Sequence, residues 1–134
     1  MDRVRKIIAD HMVLSKKVSP HVTSVIEVDV TRLVTGVKSE GSILQARSIN
    51  LTYMPAITEA TAKALKAYPL VNSSVDGYNI ILKKPINIGI AVSLNDGNLI
   101  VPVIHDADKL NLSGLASQID TLAAKARENK LAPG

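Results

Sequence analysis

Few side chains in this sequence can exchange a proton or act as a nucleophile near neutral pH. Three histidines, His11, His21 and His105, are the groups whose ordinary pKa falls there. None stands in a HExxH pair or beside a GxSxG nucleophile turn. Cysteine is absent, which removes thiol catalysis, disulfide scaffolding and Cys-ligated zinc or iron–sulfur centres. No metal-ligand spacing exists among the histidines, so no metal is expected. His11 falls on a helix face and His105 on a loop beside Asp106 and Asp108; both read as structural or solvated. His21 follows Pro20 at the start of an expected strand and is the histidine best placed to line a site. Gly114 opens a helix without a GxGxxG or GxxxxGK partner, so there is no nucleotide phosphate loop. The tripeptides starting at Asn50, Asn72 and Asn111 match the glycosylation acceptor, a frequent chance match, and nothing points to secretion.

The elements that hold these residues follow from periodicity. Val4, Ile7, Ile8, His11, Met12 and Ser15 recur at helical spacing between Asp2, placed as an N-cap, and Pro20, which predicts an amphipathic helix over 3–17. Its opposite face carries Arg3, Arg5, Lys6, Lys16 and Lys17, which read as a solvated face. From Val22 the period becomes two, which predicts a strand over 22–31 buried mainly on one side. Residues 32–51 lose periodicity around Gly36 and Gly41, so a short helical attempt and a mobile connection are expected; a lid or a disordered loop would look the same. Thr52 as a cap and Pro55 in the first turn open a helix over 53–67, with Met54, Ile57, Ala60, Ala64 and Leu65 inward. Val71–Val75 and Tyr78–Leu82 flank Asp76-Gly77 as one hairpin. Ile86–Val92 and Leu99–Ile104 flank Asn95–Asn98 as another. Gly89 within a strand predicts a close backbone approach, and Pro102 predicts an edge or a bulge. Leu112, Leu115, Ile119, Leu122 and Ala126 mark a last helix over 112–128, capped by Asn111.

The fold class is therefore α+β, a two-layer arrangement of helices on short strands. At 134 residues the chain fits one domain or part of one. Its 46% hydrophobic and 21% charged residues are globular values. With no Trp or Phe and three Tyr, an aromatic base-stacking surface is excluded. The net charge of +4 is compatible with phosphorylated ligands, anionic lipid or nucleic acid and does not choose between them; no nucleic-acid motif is present. No apolar run approaches the roughly 20 residues of a membrane span, so no membrane partner is expected, and the lack of cysteine agrees with a reducing compartment.

Several blocks in fixed order go further. Val4 to Lys17, Ser19 to Thr23 and Glu27 to Leu33 resemble the opening of the catalytic domain of dihydrolipoamide acyltransferases, the core components of 2-oxoacid dehydrogenase complexes. Asn50 to Pro55, Ala64 to Ser74, Ile86-Asn-Ile-Gly-Ile-Ala-Val92, Asp96 to Ile104, Ala107 to Ser113 and Leu122 to Leu131 are similar to later blocks of that family. The resemblance covers nearly the whole chain except residues 34–49.

It implies a fold like that of chloramphenicol acetyltransferase, with a mixed sheet, helices packed on it and trimer-based homo-oligomers. The implied reaction moves an acyl group between a dihydrolipoyl thiol and the thiol of coenzyme A, with a His-x-x-x-Asp-Gly histidine as base and a Ser or Thr hydroxyl steadying the oxyanion. No histidine here is followed at the fourth position by Asp-Gly. Residues 1–134 are thus expected to be the N-terminal part of one catalytic domain, without the lipoyl and subunit-binding domains, inactive alone and with no catalytic residue of its own. The alternative is a non-catalytic assembly module that packs against full-length acyltransferase subunits. His21, Val37, Lys38 and Asn72 are the candidates for lining a substrate or coenzyme A channel; many relatives carry an arginine about where Val37 stands. Implied partners are the decarboxylase and dihydrolipoamide dehydrogenase components, in the cytoplasm or, in a eukaryote, the mitochondrial matrix.

Overall fold

The computed structural model describes residues 3–45, 52–94, 97–128 and 130–131. Its core lies where two helices meet a hairpin. Leu115 and Ile119 come from α4 (Leu112–Arg127), Ala62 from α3 (Tyr53–Ala67), and Ile86, Ile90 and Ile104 from the hairpin and its approach. Ala107, in a 3₁₀ turn over Ala107–Lys109, closes the cluster. Fully burying one such aliphatic side chain contributes about 1.5 to 3 kcal/mol, so this small cluster carries much of the chain's tertiary stability.

Local signals account for the ends of the two core helices. Asn111 caps α4, its Oδ1 accepting from the Gly114 N–H at 2.8 Å. Thr52 stands at the N-cap of α3 in extended backbone, but its side chain makes no capping hydrogen bond. Pro55 sits buried in the first turn, where its missing N–H costs nothing. The inward face of α3 differs from the expected one. Pro55, Thr58 and Ala62 are buried with Leu65 beside them, whereas Met54 and Ile57 are 40% and 49% exposed and Ala60 and Ala64 are exposed. The helix is apolar on two sides, and the small residues Thr58 and Ala62 let α4 approach more closely than Ile57 would.

The first hairpin pairs β1 (Ser73–Asp76) with β2 (Asn79–Leu82), and the register Asp76↔Asn79 makes Gly77-Tyr78 the two-residue turn. The turn is thus one residue later than Asp76-Gly77. Gly77 has φ +60 and Tyr78 does not have positive φ, the pattern of a type II′ turn with glycine first.

In the second hairpin β3 (Ile88–Gly89) pairs with β6 (Val103–Ile104), and β4 (Val92–Ser93) with β5 (Leu99–Ile100). The register runs unbroken from Ile88↔Ile104 to Ser93↔Leu99, so Pro102 makes no bulge. Pro102 lies opposite Ile90 and accepts the Ile90 N–H at 2.9 Å, but it has no N–H to return. The missing donor divides one hairpin into two short ladders. All strand pairs among the described residues are antiparallel and two-stranded, so the class is α+β as expected, while no mixed sheet forms among these residues.

No described residue before α3 belongs to this core cluster, although the helix over 31–45 touches α3. The helix α1 (Arg3–Val18) forms as expected, yet Ile7, Ile8, Met12, Val13 and Leu14 on it remain largely exposed. Asp2, its expected cap, lies outside the described residues. The expected strand over 22–31 is not formed: residues 22–30 have no regular secondary structure and no ladder partner among the described residues, and Thr31 already opens the next helix. Val22 is 92% and Val25, expected on the opposite face, 87% exposed. A strand exists only with a second edge to bond, and alternation in sequence does not provide one. Where a short helical attempt and then a mobile connection were expected over 32–51, the full helix α2 (Thr31–Gln45) forms; residues 46–51 lie outside the described residues.

Candidate functional site

The four candidate channel residues fall on three separate elements. His21 lies in the exposed arm, where its Nδ1 is 2.7 Å from the carbonyl oxygen of Ser19. A carbonyl only accepts, so Nδ1 is the donor in this contact. Val37, half-buried, and Lys38, exposed, are on α2. Asn72 ends the 3₁₀ turn Pro69–Asn72. No hydrogen bond or ion pair joins any two of the four.

Asn72 is the most firmly held. Its Nδ2 donates to the carbonyls of Lys83 at 3.3 Å and Pro85 at 3.1 Å, and its own carbonyl accepts the Lys83 N–H at 3.1 Å. These bonds tie the end of β2 to the turn after α3. Beside them opens a cleft of about 380 Å³ between α3, that turn and the β2–β3 connection, lined by Lys66, Lys83, Lys84, Asn72 and Asp108 among others. A neighbouring cleft of about 430 Å³ shares Lys66 and Asp108 and adds Glu59, Lys63 and Lys109. Its lysines have partners: Lys63 meets Glu59, one turn earlier on α3, at 2.9 Å, and Lys109 meets Asp106, just outside the lining, at 3.1 Å. A third cleft of about 280 Å³, lined by Thr61, Ala64, Leu65, Tyr68 and Val71, is almost wholly apolar.

Chemically, these clefts offer cations and apolar walls rather than a nucleophile with its base. His11 and His105 are exposed, and no group of three His, Asp or Glu among the described residues is arranged to hold a metal. No helix among the described residues is long and apolar enough to cross a membrane. Lys83 and Lys84 were not legible as site residues in sequence; the one signal was a Lys-Lys pair ahead of Pro85.

The catalytic-domain model of the 2-oxoacid dehydrogenase acyltransferases matches residues 1–134. The dihydrolipoyllysine-residue acetyltransferase component of the pyruvate dehydrogenase complex of Bacillus subtilis is 44% identical over 135 residues, covering 99% of this chain and 30% of that protein. The succinyltransferase component of the 2-oxoglutarate dehydrogenase complex from the same organism is 39% identical over 132 residues, 98% of this chain and 31% of that protein. The crystal structure of a probable dihydrolipoamide acetyltransferase from Listeria monocytogenes superposes with TM-score 0.92 at 41% identity, over 98% of this chain and 56% of that one. The dihydrolipoamide acetyltransferase of Azotobacter vinelandii gives TM-score 0.91 at 36% identity, over 98% and 55%. The chain therefore spans about a third of the curated relatives' length and about half of the solved chains.

Proposed function

Because the chain belongs to the family of 2-oxoacid dehydrogenase acyltransferase catalytic domains, we propose that it forms the N-terminal part of a domain that moves an acyl group between dihydrolipoyl and coenzyme A thiols. The observation that carries this reading is the likeness over 98% of the chain to the Listeria structure at 41% identity and TM-score 0.92. In this reading the lipoyl group arrives on a domain outside these 134 residues. Coenzyme A is the second substrate, and no metal takes part. The complete domain has the chloramphenicol-acetyltransferase-like mixed sheet, its trimers build a homo-oligomeric core, and the decarboxylase and dihydrolipoamide dehydrogenase dock on that core in the cytoplasm.

The acyl group stays open, since acetyltransferase, branched-chain acyltransferase and succinyltransferase components are 44%, 44% and 39% identical to the chain. His21, Val37, Lys38 and Asn72 are proposed as channel residues and not as the catalytic base, because no His-x-x-x-Asp-Gly occurs in this sequence. Loss of a single oxyanion donor costs about 3 to 4 kcal/mol in known enzymes; without base and donor together the 134 residues alone have no turnover. The test is acetyl transfer from acetyl-coenzyme A to dihydrolipoamide, by the chain alone and with the remainder of a family domain supplied. No rate alone and a rate on addition is the expected result; no rate in either case counts against the proposal.

A second reading, the non-catalytic assembly module, draws on the exposed apolar arm from Val22 to Val30. It predicts binding to full-length acyltransferase subunits with no gain in rate.

A further inference from the structure

Lys83 and Lys84 are consecutive, and in a straight extended chain they would face opposite sides. The backbone bends at Lys84 and Pro85, and both lysines line the same 380 Å³ cleft together with Lys66 of α3. Neither has a carboxylate within ion-pair distance among the described residues. Lys66 is 3.7 Å from Asp108, a long pair. Three lysines against the one carboxylate, 3 − 1, leave the lining at +2. The backbone that carries the lysines is held in advance by the paired bonds between Asn72 and Lys83 and by the Asn72 bond to Pro85. The opposite wall is fixed too, since Ala107 donates to the Ile86 carbonyl at 2.8 Å and so positions Asp108 beside the cleft. Leu65 and Ile86 form an apolar side, which lowers the local dielectric and strengthens each charge.

The geometry points to this cleft as a binding site for a phosphate group. A phosphate monoester carries about −1.5 to −2 charge at neutral pH and three acceptor oxygens, which matches a lining of +2 with three ammonium donors. The inference does not depend on acyl transfer; it needs only the free charge and the fixed backbone. The phosphate arrives either free in solution or as the phosphomonoester of coenzyme A, and the chemistry of recognition is the same.

Amide NMR of the protein at low ionic strength tests it, with inorganic phosphate, coenzyme A and dephospho-coenzyme A titrated in turn. Saturable shifts at Asn72, Lys83, Lys84 and Asp108 on adding phosphate are expected. The double variant Lys83→Gln/Lys84→Gln should keep the remaining spectrum and weaken phosphate about tenfold. Lys16→Gln/Lys17→Gln, an equal loss of charge on α1, should leave it unchanged. Tighter binding of coenzyme A than of its dephospho form, at the same amides, assigns the site to the coenzyme's phosphomonoester; equal binding of the two, with the phosphate shifts retained, assigns it to free phosphate. Shifts that do not saturate, that fall elsewhere, or that weaken equally in both lysine-pair variants overturn the proposal.

Discussion

Cγ1 of Val101 occupies the space that a side chain on Gly89 would need, lying 2.8 Å from where its Cβ would stand. The two residues are diagonal neighbours across the second hairpin, because Gly89 faces Val103 in the register. Gly89 costs the strand backbone entropy, and the close approach of Val101 is what it allows.

Gly89→Ala should therefore destabilise the chain by about 1 kcal/mol, as the displaced Val101 leaves its rotamer and the hairpin shifts. Denaturant unfolding of Gly89→Ala, Val101→Ala and the double variant checks this as a cycle. The alanine at 89 should cost clearly less once Val101 is shortened. The same cost in both backgrounds would remove Val101 as the cause.

Asp29 accepts the Thr31 hydroxyl at 2.6 Å and the Thr31 N–H at 2.8 Å, and these bonds, the hydroxyl's first, hold its carboxyl below the usual range. A carboxyl lowered in the folded state stabilises above its unfolded pKa of about 3.9 and loses that contribution as pH falls through the folded value. The first turn of α2 should fray on acidification, and Asp29→Ala should fray it at neutral pH. Carboxyl carbon NMR titration of Asp29 checks the direction; a midpoint at or above the unfolded value would refute it.

Thr58 is 2% exposed and its Oγ1 has no hydrogen-bond partner. Two other helical threonines, Thr35 and Thr61, bond back to the carbonyls of Thr31 at 3.0 Å and Ile57 at 2.8 Å. Thr58→Val keeps the shape and removes an unsatisfied hydroxyl, so it should stabilise by about 1 kcal/mol. Thermal and denaturant unfolding measure it, and a loss of stability would show that the hydroxyl has a partner in solution.

The segment before α2 leaves Val22, Ile26 and Val28, which would share one face of a paired strand, at 92%, 82% and 72% exposure. An unpaired apolar edge of this kind recruits another strand. Sedimentation should show concentration-dependent association, abolished in Ile26→Lys/Val28→Lys. A wild-type chain that stays monomeric at high concentration would contradict it.

Local chemistry in the sequence settled what neighbouring residues can settle. The spans of α1, α3 and α4, the Asn111 cap, the glycine turn near residue 77 and the close approach at Gly89 each depend on a few adjacent side chains. The Asp29–Thr31 cap belongs to the same kind, yet the Gly36 and Gly41 weakness behind it hid the length of α2. Asn72 was named as a channel candidate, and it does line a cleft. Lys66 and Asp108, far apart in sequence, became its neighbours only through the packing of α3 against the turn after β6. Tertiary structure alone decided which of the two apolar sides of α3 is buried, because that depends on how closely α4 can approach. It also decided that 22–30 has no partner among the described residues. Periodicity states which way a side chain points, whereas burial and pairing require a second surface, and that surface comes from residues distant in the chain.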